Sequence, residues 1–111
     1  MATTATASNG AQNGILPAQD IRGLIDTGAL TLALPLGPKQ LQPASLDLRL
    51  GTEAYRVRAS FLPGAGATLA ERLADFEMHR IDLSHGAVLE KGCVYVAPLL
   101  ESLALPPGIS A

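Results

Sequence analysis

Gln42-Pro43-Ala44-Ser45-Leu46-Asp47-Leu48-Arg49-Leu50-Gly51 is the stretch from which the fold of this chain is read. Leu46, Leu48 and Leu50 alternate with Ser45, Asp47 and Arg49, the period of two expected of a strand with one buried face. The three leucines are therefore expected in the core. Asp47 and Arg49, two residues apart, share the opposite face. Pro43 holds the residue before it extended, and Gly51 ends the run.

Upstream, Pro17 suits the start of a short helix, and Ile21, Leu24, Ile25 and Gly28 follow helical spacing. The spacing predicts a helix over Ala18–Thr27, closed by Gly28 in a left-handed conformation. A short strand over Leu30–Leu34 and a loop over Pro35–Gln42 follow. Downstream, Tyr55, Val57 and Ala59 alternate with Arg56, Arg58 and Ser60, which reads as a second strand hairpin-paired with the first. Pro63-Gly64-Ala65-Gly66 reads as a loop; it lacks the preceding strand and the following Lys-Ser/Thr of a phosphate loop. Thr68 and Glu71 form a capping-box pattern that opens a helix carrying Leu69, Leu73 and Phe76 and ending near Met78. Strands are expected at Ile81–Leu83, Ala87–Leu89, Cys93–Leu99 and Leu100–Leu105, with turns at Ser84-His85-Gly86 and Glu90-Lys91-Gly92, before Pro106-Pro107 stops the last. Short strands close in sequence predict a mainly β fold with short helices and antiparallel or mixed strands.

The 111 residues allow one domain. Hydrophobic residues make up 48% of the chain but aromatic ones only 4%, so the core must be aliphatic. A net charge of −2 argues against a general nucleic-acid binder, which would carry a basic face. No apolar run approaches the roughly 20 residues that cross a bilayer. Cys93, the single cysteine, excludes an internal disulfide and points to a reducing, cytoplasmic setting. One cysteine also cannot build the His/Cys/Cys site of zinc deaminases, and neither His79 nor His85 is followed two residues later by Glu. Residues 1–14, rich in Ala, Thr, Asn and Gly, are expected to be a disordered lead-in, leaving 15–111 as the domain.

Pro43-Ala44-Ser45-Leu46-Asp47-Leu48-Arg49-Leu50-Gly51 resembles the signature of dCTP deaminases, nucleotide hydrolases on a dUTPase-like β-fold. Ile15-Leu16-Pro17 with its helix and the block Gly86–Gly108 are similar to the family in the same order, although Lys91 and Leu100 replace a proline and a threonine. The insertion around Thr68–Met78 is similar to a longer subgroup with two dUTPase-like units in tandem. The resemblance implies a partial dUTPase-like β-barrel or β-clip and hydrolytic deamination of dCTP to dUTP and ammonia, without zinc and with Mg²⁺ on the triphosphate. It also implies assembly as a homotrimer, and a catalytic segment beyond Ala111, so no catalytic residue falls within these residues. The rival readings are a dUTP pyrophosphatase-like domain and a non-catalytic β-scaffold or regulatory domain.

Asp47 is the candidate metal-site residue: the resemblance implies a water-mediated contact to Mg²⁺. The alternative is a structural Asp47–Arg49 or Asp47–backbone contact. Arg56 and Arg58 could attract phosphate, although a solvated strand face is the ordinary reading. Cys93 reads as a small buried hydrophobe, His79 and His85 as surface residues, and Glu101 as a structural position. An open sheet edge would favour self-association.

Overall fold

A two-residue turn at Pro43-Ala44 folds β5 (Leu41–Gln42) back onto β6 (Ser45–Asp47), pairing Leu41 with Leu46 and Gln42 with Ser45. Such a tight connection fixes register, and with it the face on which Leu46 stands. The computed structural model describes residues 2–9, 12–58 and 64–111. The other edge of β6 takes β1 (Ala2–Thr3), which sets Ala2 opposite Asp47 and Thr3 opposite Leu46. Every pairing between the described strands is antiparallel.

The chain divides into two compact units, one of Met1–Arg49 with Leu99–Ala111 and one of Leu50–Pro98. In the first, helix α1 (Ala18–Asp26) buries Ile21 and Leu24 against Leu46, Leu16, Ala5 and Leu30. The Ala18 amide, one of the orphan donors of a helix start, bonds the Pro43 carbonyl at 2.7 Å. Gly28 follows the helix at φ +80°, as predicted for its closing position. β4 (Leu30–Leu32) pairs with β10 (Glu101–Leu103). β2 (Thr6–Asn9) lies between β3 (Gln12–Ile15) and β11 (Ile109–Ser110).

In the second unit, β7 (Glu53–Val57) runs between β8 (Glu77–Asp82) and β9 (Val94–Val96). Ala54 and Val57, on opposite faces of this central strand, are both buried. Helix α2 (Leu69–Phe76) packs on β7 and buries Leu73. Both capping-box bonds form: the Glu71 amide donates to Thr68 Oγ1 at 3.3 Å, and the Thr68 amide to Glu71 Oε2 at 2.8 Å. The pairing of β7 with β8 skips Met78, a bulge just beyond the helix.

The structure differs from the sequence reading at several points. Residues expected as a disordered lead-in carry β1, β2 and most of β3, because their backbone groups find partners on β6 and β11 that composition does not reveal. The two alternating runs do not form a hairpin: β5 and β1 occupy both edges of β6, and β8 and β9 both edges of β7. Burial also fades along the signature run, from Leu46 at 0% exposed through a half-buried Leu48 to Leu50 at 50%. β6 ends at Asp47, so the alternation outlasts the pairing that would bury it. Ala87–Leu89 is not a strand, and Val88 is 89% exposed. The predicted positions Ala59, Ser60 and Pro63 and the Phe76 side chain lie outside the described residues.

Candidate functional site

Glu101 is the only charged residue of the apolar run Cys93–Leu105, and its side chain is 1% exposed. Burying a lone carboxylate is costly, so its oxygens must be bonded. Oε1 accepts from Arg49 Nε at 2.7 Å and from Gln40 Nε2 at 2.8 Å, and Oε2 accepts from the Arg49 amide at 2.8 Å. The guanidinium has further work: Nη1 donates to the Pro35 carbonyl and Nη2 to the Leu34 carbonyl, each at 2.9 Å. β10 thereby supplies an acid that fixes the chain leaving β6, while the loop before β5 is held by the same arginine.

Burial pushes the Glu101 carboxyl up, but the Arg49 amide and guanidinium and the Gln40 amide outweigh it. The net effect holds the group below its ordinary value of 4.5. A carboxylate kept ionised with both oxygens engaged is a poor proton acceptor. These bonds of Glu101 all tie β10 to the chain around β6.

Gln40 is the member of this network that sequence reading missed. It is buried, follows Lys39 in the left-handed region (φ +62°), and accepts at Oε1 from the Gly37 amide at 2.9 Å. Its own carbonyl accepts from the Asp47 amide, and its Nε2 donates to the Asp47 carbonyl, both at 2.9 Å. Gln40 therefore takes both backbone groups of Asp47. No signal in the surrounding Lys39-Gln40-Leu41 marks that role.

Asp47 is half-buried on β6. Arg49 turns to Glu101 rather than to Asp47, and the bonds that Gln40 makes to Asp47 reach its backbone groups and not its side chain. Among the described residues, no hydrogen bond or ion pair engages the Asp47 carboxylate. Those residues also contain no group of three or more His, Cys, Asp or Glu side chains able to hold a metal. One free carboxylate does not make an inner coordination sphere. It does fit an ion such as Mg²⁺, which keeps several waters and takes most of its remaining ligands from phosphates.

The other candidates are scattered over the second unit. Arg56 Nη1 lies 3.4 Å from Glu90 Oε2, and Arg58 is exposed. Arg80 stacks 5.3 Å from the centre of the Tyr55 ring and pairs with Glu53 and Glu77 at 3.8 Å. Tyr55 donates to Glu53 Oε2 at 2.8 Å, a bond that raises its pKa. Ser84 donates to Asp82 through both its hydroxyl and its amide and lowers the pKa of that acid. Cys93 is half-buried rather than buried, with Sγ 3.6 Å from Glu90 Oε2. His79 and His85 are exposed. These ion pairs lie on the surface, where such contacts contribute little to stability. No helix of the described residues is long and apolar enough to cross a membrane.

Compared with known proteins, residues 12–111 match the family model described as 2'-deoxycytidine 5'-triphosphate deaminase (DCD) N-terminal domain. Among solved structures, the crystal structure of 2'-deoxycytidine 5'-triphosphate deaminase from Agrobacterium tumefaciens is similar, with a TM-score of 0.77 and 57% sequence identity. The likeness covers 84% of this chain and 28% of that one, so the chain spans less than a third of its solved relative. No curated protein matches it.

Proposed function

The chain belongs to the 2'-deoxycytidine 5'-triphosphate deaminase family, and from that premise we propose that it is the N-terminal portion of an enzyme that hydrolyses dCTP to dUTP and ammonia. The observation that carries this reading is the 57% identity to a deaminase over 84% of the chain, together with the family match across 12–111. In this reading the first unit is a frame. Its buried Arg49–Glu101 pair and Gln40 hold β6, and Asp47 offers a carboxylate to the hydration shell of Mg²⁺ on the triphosphate. When bound, the ion would offset phosphate charge.

Hydrolytic deamination needs a group that moves protons while water adds to the cytosine ring and ammonia leaves. Glu101 does not suit that task, since Arg49 and Gln40 occupy its oxygens. The family resemblance, rather than any residue here, is the ground for assigning the proton-moving carboxylate and the donors to phosphate to a segment beyond Ala111, and on that reading the isolated chain is inactive. Assembly with further copies as a homotrimer, in the cytoplasm, belongs to the same reading. The exposed Met78 and Val94, on the outer strands of the β8-β7-β9 sheet, supply apolar surface for such contacts.

The test measures ammonia release from dCTP with Mg²⁺. One sample is this chain, and the other is this chain lengthened at Ala111 with the corresponding remainder of the Agrobacterium enzyme. Release from the lengthened protein alone is expected. If the lengthened protein instead liberates pyrophosphate from dUTP and no ammonia from dCTP, the deaminase assignment is wrong. Ammonia release by the 111 residues, abolished by Asp47→Ala, would place the chemistry within this chain.

A further inference from the structure

We propose that Gln40, anchored by the carboxylate of Glu101, is a positioning residue for Asp47. The inference rests on the reading of Asp47 as the carboxylate that faces a hydrated ion on the triphosphate.

The geometry is unusually closed for a residue on a loop. Gln40 Nε2 is shared between the Asp47 carbonyl at 2.9 Å and Glu101 Oε1 at 2.8 Å, and Gln40 Oε1 is held by the Gly37 amide at 2.9 Å. The amide group is therefore fixed at three points, and rotation about its last bond would lose all three. On the other side of the same residue, the Gln40 carbonyl receives the Asp47 amide at 2.9 Å. Asp47 thus has its N–H and its C=O tied to one neighbour, while Ala2 and the fully buried Leu46 set its strand register. Among the described residues its carboxylate alone is left without a partner.

Lys39 sharpens the argument. A non-glycine residue enters the left-handed region only where its surroundings demand it, and Lys39 does so immediately before Gln40. The Lys39 carbonyl accepts a bond from Gln42 Nε2, which ties the turn to β5. No buried side-chain polar atom among the described residues lacks a partner, so the arrangement is complete without a ligand. Groups that orient a metal-facing carboxylate from behind typically change affinity by about 10–100-fold when removed.

The experiment uses Mn²⁺ with dCTP as a paramagnetic probe and follows broadening of the Asp47 carboxyl carbon by NMR in the protein lengthened at Ala111, which carries the proposed phosphate donors. The folded fraction of each variant is read from its amide spectrum. Broadening is expected in the unaltered lengthened protein and should be lost in Asp47→Asn. Gln40→Met, which keeps length and removes the amide, should weaken the apparent Mn²⁺ affinity about tenfold at an unchanged folded fraction. Glu101→Gln should act in the same direction and stands in where Gln40→Met does not fold. Affinity unchanged in a folded Gln40→Met or Glu101→Gln chain, with Asp47→Asn inactive as a probe site, overturns the positioning role alone. If the unaltered lengthened protein shows no broadening, or Asp47→Asn retains it, the reading of Asp47 fails. Gln40 is then judged by the coupling constants about the Asp47 Cα–Cβ bond: a single rotamer that averages on Gln40→Met supports the role, and an unchanged one refutes it.

Discussion

Replacing Leu46 by alanine probes the first unit where it is most tightly built. Leu46 has no exposed surface and packs among Ala5, Leu16, Ile21, Leu24 and Leu30. The substitution removes three carbons, about 2.4 kcal/mol of transfer free energy at about 0.8 kcal/mol per methylene. Partial collapse of the surrounding wall adds a cavity contribution, and buried Leu→Ala changes span about 2.7–5.0 kcal/mol. The surrounding residues come from α1, from β4 and from two connecting segments, which limits collapse, so the expected loss is about 4 kcal/mol. Half-buried Leu48 should cost about 1.5–2 kcal/mol when truncated, and Leu50, at 50% exposure, under about 0.5 kcal/mol. The volume-conserving Leu46→Met should stay under about 1.5 kcal/mol. Urea unfolding followed by far-ultraviolet circular dichroism measures all four, and a constant slope confirms a comparable unfolded state. Equal losses at Leu46, Leu48 and Leu50 would show that the whole alternating run is buried and refute the gradient.

The depressed Glu101 carboxyl should make the first unit sensitive to acid. The unfolded chain binds the proton more readily, so the contribution of this group is present above its ordinary value of 4.5 and is lost as pH falls through its lower folded value. The stability difference between the unaltered chain and Glu101→Gln should therefore shrink between neutral pH and about pH 3, and a constant difference in pH-dependent unfolding contradicts this. Thr68→Ala removes one arm of the capping box and should cost about 1 kcal/mol, read as faster amide exchange in α2; exchange rates unaltered there would dismiss the cap. At Gly51 an added Cβ would meet the Pro98 carbonyl oxygen at 3.0 Å, and the Gly51 amide bonds that same oxygen at 2.7 Å. Gly51→Ala should therefore cost about 1–3 kcal/mol by overpacking in chemical denaturation, whereas a neutral substitution would mean that the segment around Pro98 can yield.

What could be read in advance was local. The capping box at Thr68 and Glu71 and the closing Gly28 are written within a few residues of the structures they form, and both appear as predicted. Leu46 was legible because alternation sets its face, although the turn at Pro43-Ala44 that fixes its register was not foreseen. For Arg49 the sequence offered only a neighbour along the strand, Asp47, as one alternative partner, whereas the acid it meets is 52 positions away. Glu101 could have been suspected as the lone charge in an apolar run, but nothing in sequence specifies which cation meets it. The lead-in strands owe their order to edges offered by β6 and β11, and the apolar Ala87–Leu89 has no such edge among the described residues, so composition misleads in opposite directions at the two places. Asp47 could thus be singled out as a candidate from the sequence, whereas Gln40, whose contacts run across loops, could not.

The division of the chain has a consequence for its birth on the ribosome. Strands β4 and β2 emerge early, yet their partners β10 and β11 are encoded after the whole Leu50–Pro98 segment. At 5–20 residues per second, the 68 residues between β4 and β10 take about 3–14 seconds to make, and the 99 between β2 and β11 about 5–20 seconds. The second unit is contiguous and can close as soon as it has cleared the exit tunnel, so the later-encoded unit is the one able to mature first. Where the first unit resumes, the Leu100 amide meets the Arg49 carbonyl at 2.9 Å. The intervening segment therefore acts as a loop whose ends are stitched together, and each doubling of a loop's length adds only about 0.6 kcal/mol to closure. Synthesis order, more than thermodynamic penalty, is where this arrangement exposes the nascent chain: β4 and the second edge of β2 are open to chaperones, or to one another, until β10 and β11 arrive.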